Sequence, residues 1–70
     1  MLSDEEEAKR LRAAVLALPA DLQFTVTAHF WAELPVSEIA RLEEITTVAV
    51  RKRLHRAYSL LETALENGRR

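Results

Sequence analysis

Residues 34–61 read LPVSEIARLEEITTVAVRKRLHRAYSLL, and the spacing of their apolar side chains leaves few folds open. Ile39 and Leu42 precede a polar break at Glu43 and Glu44. Beyond it, Val50, Leu54, Ala57 and Leu61 follow in steps of three or four. Such steps line one face of an α-helix but would scatter over both faces of a strand. The stretch therefore reads as a short helix, a break at Glu43, Glu44 and Ile45, and a longer helix, with Thr46 as N-cap. That is a helix-turn-helix.

The preceding residues extend the helical pattern. Ser3 followed by Glu6 is a capping box, and the run Asp4 to Glu7 suits the positive end of a helix dipole. Leu11, Val15 and Leu18 follow at helical spacing until Pro19. Pro19 then serves as the first position of the next helix, where a missing N–H costs little. Leu22, Val26 and Phe30 recur every fourth residue, with Phe24, Ala28 and Trp31 widening the stripe. Thr25 and Thr27 lower helix propensity, so this helix rests on period alone. Alternation from Phe24 to Phe30 also permits a strand, but no partner strand is visible. Pro35 opens the third helix, while Asn67 and Gly68 end the fourth, leaving Arg69 and Arg70 as a frayed end. The predicted fold is all-α: one domain, with helices at 4–18, 20–33, 36–43 and 47–66. Its expected core is Leu11, Val15, Leu22, Val26, Phe30, Ile39, Leu42, Ile45, Val50, Leu54, Ala57 and Leu61.

Composition narrows the function. Seventy residues suffice for one small core, and with no cysteine neither disulfides nor thiolate metal sites can reinforce it. No apolar run reaches the roughly 18–20 residues of a membrane span. The acidic N-terminus has the wrong charge for a signal peptide, so the expected location is cytoplasmic. Net charge is −1, but unevenly distributed: residues 1–35 hold six acids and three bases, residues 36–70 five acids and seven bases. Four of those bases lie between Arg51 and Arg56. At about 100° per residue, the fourth helix turns Val48, Arg51, Lys52, His55 and Ser59 away from its apolar seam, with Arg56 on the flank. Arg53 falls near the edge of the seam. Such a run is commonly only a solvated face. In the first turns of the second helix of a helix-turn-helix, it occupies the part that enters a DNA groove, where arginine forks meet guanine edges.

The ordered motifs resemble region 4 of bacterial sigma factors, especially the extracytoplasmic-function group. That pattern is a leucine-rich helix ending in LP, a second helix ending F-x-x-L, then S-x-x-E-I-A, a short turn and V-(K/R)-x-R-L-x-R-A. Leu18-Pro19, Phe30 to Leu34, Glu38-Ile39-Ala40 and Val50 to Ala57 match it, and the likeness spans about residues 11–65. The resemblance implies a four-helix domain that binds the −35 promoter element through its last helix. It also implies docking on the flap of the RNA polymerase β subunit and occlusion by an anti-sigma factor. The DNA-contacting residues it implies are Arg51, Lys52 and Arg56, flanked by Thr47, Val48 and His55. It makes Arg53 a structural arginine, paired with Glu38 across the two helices. This chain departs from the pattern at Glu43 and Glu44, where a permissive residue such as Gly is common, and at Pro35, Val48, Ala49 and Tyr58.

Other functions compete for the same residues. A stand-alone sigma mimic would engage an anti-sigma factor or polymerase without specific DNA binding, setting the basic face against an acidic partner. Response-regulator output domains share the four-helix outline, yet they dimerise through a last helix with a free apolar face. Here that face is consumed by the core, so a monomer is expected. Catalysis has no support: His29 and His55 lie on different helices, and no catalytic, metal or cofactor site is indicated. Phe30 and Trp31 read as core rather than as a base-stacking platform, and His29 as a surface or half-buried histidine.

Overall fold

A computed structural model of the protein describes residues 4–67. Helix α1 (Asp4–Leu16) opens with four acids at its positive end. The Ser3 capping box, the Gly68 stop and the terminal Arg69 and Arg70 lie outside the described residues. Pro19 disfavours helical geometry at the residue before it, and α1 ends at Leu16 rather than Leu18. Its last turn tightens instead: the Leu18 N–H donates to the Val15 carbonyl at 3.0 Å.

Helices α2 (Ala20–Phe30) and α3 (Val36–Glu43) share one kind of start. Pro19 and Pro35 are their N-caps, extended at φ −53°, ψ 146° and φ −68°, ψ 155°, rather than first helical residues. Neither can cap with a side chain, but each carbonyl accepts from the following turn: Gln23 N–H on Pro19 at 2.9 Å, Glu38 N–H on Pro35 at 3.0 Å. Helix α2 stops at Phe30, three residues before the expected end. Glu33 turns the chain left-handed at φ 55°, and the Leu34 N–H returns to the Ala28 carbonyl at 3.0 Å. His29 helps to close this turn, its Nδ1 lying 3.1 Å from the Leu34 carbonyl. A carbonyl can only accept, so this bond requires the proton on Nδ1.

After α3, Glu44 takes up the left-handed conformation at φ 58°, ψ 43°. The Ile45 N–H reaches the Ala40 carbonyl at 3.0 Å and the Glu44 N–H the Arg41 carbonyl at 3.3 Å. This is a Schellman close, normally built on glycine. Thr46 then caps α4 (Thr47–Asn67), its Oγ1 accepting from the Ala49 N–H at 3.0 Å. Among the described residues no strand forms, including at 24–30.

Helix α4 packs on α1, α2 and α3, and its Val50, Leu54, Ala57 and Leu61 are all buried. Val15, Leu18, Leu22, Val26, Ala28, Ile39 and Ala40 complete the core. Thr25 is also wholly buried, and its hydroxyl donates to the Asp21 carbonyl at 2.9 Å, so the polar group is satisfied inside its own helix.

The expected core needs correction. Leu11 and Ile45 only border it. Leu42 is 50% exposed because α3 turns Val36, Ile39, Ala40 and Glu43 toward the interior. Phe30 is 51% exposed; it lies where α2 ends and packs edge-on against Tyr58 of α4, ring centroids 5.5 Å apart. Trp31, also read as core, is half-exposed. Leu16, Phe24, Val48 and Leu60 are likewise exposed, so the core does not consume every apolar stripe.

Candidate nucleic-acid interface

The Thr46 cap and the Glu44 turn together set where α4 begins, and the buried seam of α4 sets its rotation. With Val50 and Leu54 inward, Thr47, Val48, Arg51, Lys52, His55 and Arg56 are all exposed. All but Thr47 line an open cleft of about 640 Å³. Asp21 and Leu22, from the first turn of α2, form part of its wall. These two were not anticipated. Their sequence signals point elsewhere, Asp21 to dipole compensation and Leu22 to the core, and only the approach of α2 to α4 brings them here.

Arg53 also borders the cleft, but its charge is engaged. Its Nη1 lies 3.4 Å from Glu43 Oε2, with both side chains about three-quarters buried. The expected partner, Glu38, binds Arg41 one turn along α3 instead. Glu43 follows the inward face of α3, whereas Glu38 projects from its solvent side. The Arg41 hydrogen bond holds the Glu38 carboxyl below its ordinary range and raises Arg41. Burial beside Phe30 pushes the Tyr58 phenol up.

Arg51, Lys52 and Arg56 differ from these. Among the described residues, none of the three forms an ion pair. They are free cations on a rigid helix, open to solvent, two of them with the planar fork that suits phosphate or guanine. Among the described residues, no group of His, Asp or Glu is arranged to hold a metal ion, and no helix is long and apolar enough to cross a membrane. His29, half-buried against the Leu34 carbonyl and the Phe30 ring, belongs to the α2 turn rather than to the cleft.

A second depression lies between α1 and α2. It measures about 340 Å³, and Arg12, Val15, Leu16, Gln23, Thr27 and Trp31 line it. Leu16 is 70% exposed there.

The sigma-70 region 4 family pattern matches residues 8–61, which takes in all but the first turn of α1 and ends within α4. No curated protein and no solved structure matches the chain significantly. Region 4 is a DNA-binding, regulatory unit rather than a catalytic one, and it generally engages promoter DNA and RNA polymerase. With its four helices, capped turn and unpaired cations on α4, the chain belongs to the sigma-70 region 4 family.

Proposed function

We propose that this chain recognises a −35-type promoter element by laying α4 in the major groove. The carrying observation is the set Arg51, Lys52 and Arg56, unpaired and exposed at the start of a helix held by Thr46. A major groove about 12 Å wide admits one α-helix, and bidentate arginine contacts to guanine discriminate by about 1–3 kcal/mol each. Arg51 and Arg56 act as base or backbone anchors and Lys52 as a phosphate contact, with Thr47, Val48 and His55 flanking them. Arg53 is the structural arginine, through Glu43.

Partner binding belongs to the same proposal. The apolar trough between α1 and α2, with Arg12 in its wall, supports docking of the β flap of RNA polymerase. An anti-sigma factor would compete for these surfaces. The chain acts as a cytoplasmic monomer, one domain of the transcription machinery. A net charge of −1 offers little long-range attraction to DNA, so isolated binding is weak and the polymerase supplies the tether. The same charge and the exposed Leu16 favour a second reading, the sigma mimic that binds protein alone.

The test is a titration against a randomised duplex library, beside capture by the isolated flap. Enrichment of a sequence, abolished by Arg51→Ala or Arg56→Ala, is the expected result. Lys52→Ala weakens every sequence alike. Flap capture with no enrichment overturns the promoter reading in favour of the mimic.

A further inference from the structure

Among the described residues, Asp21 is the one acid in the wall of the α4 cleft, beside Arg51, Lys52, Arg53, His55 and Arg56. Among the described residues its carboxylate forms no ion pair despite these neighbours, and its side chain is exposed. The helix beneath it is seated in the core through its buried neighbours Leu22 and Thr25. A shift of α2 that carried the Asp21 backbone away from the cleft would unbury Leu22 and Thr25. A duplex seated on Arg51, Lys52 and Arg56 brings its phosphates toward this wall, and charges act on one another over roughly 8 Å at physiological salt.

We propose that Asp21 limits the affinity of the cleft for the phosphate backbone, acting on all duplex sequences alike. This rests on the reading of the cleft as a DNA interface. A carboxylate beside the phosphates repels them and retains a counterion that full neutralisation would release. The three free cations then act with one negative charge set against them. The consequence is general: phosphate contacts to any duplex, bulk DNA included, stay too weak to hold the chain away from polymerase. A dipole-compensating role in the first turn of α2 is compatible, but it predicts an effect on folding only.

The experiment compares the wild-type chain with Asp21→Asn, Asp21→Glu and Glu66→Gln, by anisotropy on the enriched duplex and a scrambled one, from 50 to 200 mM salt. Glu66→Gln makes the same net-charge change about 15 Å further along α4 than Arg56. Melting curves check that each variant is folded. Expected is a three- to tenfold tightening of both duplexes for Asp21→Asn at about 50 mM salt, with the log–log salt slope steeper by about 0.9. Asp21→Glu keeps wild-type affinity, and Glu66→Gln changes it less than twofold. If folded Asp21→Asn binds like wild type, or tightens no more than Glu66→Gln, the proposal is overturned while the DNA reading stands. Weakening on the enriched duplex alone would also overturn it, making Asp21 a base contact to a cytosine amine. Failure of the wild-type chain to bind either duplex overturns the DNA reading and this proposal with it.

Discussion

Arg51 and Arg53 are two positions apart on α4 and do opposite things. Arg53 shares a largely buried pair with Glu43, while Arg51 stands unpaired among the described residues in the cleft. Arg53→Ala leaves Glu43 without its partner and removes the packed stem of the side chain. The expected loss is about 1 kcal/mol, or roughly 4–8 °C in melting temperature for a domain of this size. Arg51→Ala should leave the melting temperature within about 0.5 kcal/mol of wild type. Equal melting of the two mutants would contradict this division. The Arg53 partner was half legible in the sequence. An arginine near the seam of α4 was visible, but its acid depended on the rotation of α3. Taking Leu42 as inward in place of the small Ala40 turns that helix by roughly 80°. Seen from that rotation, Glu38 and Glu43 are equally good candidates, so the misplaced leucine and the misassigned pair have one cause.

The helices themselves are written most clearly at their starts. Acids in the first turn, two prolines and a threonine hydroxyl mark them, each through a physical preference for a helix N-terminus. Endings are harder to read because two of them rest on glutamates in left-handed backbone, Glu33 and Glu44. A side chain there costs about 1–2 kcal/mol relative to the right-handed form, so nothing in a glutamate announces the turn. Glu44→Gly removes that cost without touching the Ala40 and Arg41 carbonyl bonds. It should stabilise the chain by about 1 kcal/mol, raising the denaturant midpoint at unchanged slope. A lower midpoint would mean that the Glu44 side chain contributes more than its backbone geometry costs. The α2 turn hides for a related reason: the His29 bond to Leu34 and the edge-on meeting of Phe30 with Tyr58 join parts that sequence spacing does not relate.

For the molecule as a whole, charge sets how it meets DNA. With Arg51, Lys52 and Arg56 as the phosphate or base contacts and one counterion retained at Asp21, the affinity should fall with salt at a log–log slope of about −2. A slope near −6 would require cations outside the α4 face. Association with itself is a separate matter, since Leu16, Phe24, Trp31, Leu42 and Leu60 are left exposed. Sedimentation at micromolar concentration should still show a monomer; a stable dimer would make the apolar trough a self-interface. The contact between α4 and every other helix has one more consequence, for how the protein can fail. The helix that presents the cations is also the keystone of the core, so the reading surface has no stability separate from that of the fold. Amides of Val50, Leu54 and Ala57 should therefore exchange with solvent deuterium only through global opening, at the slowest rate in the chain. Exchange at those amides faster than in α1 would reveal a folded form with its reading helix undone. Otherwise every intact molecule carries its surface ready-made, and control must come from what covers it.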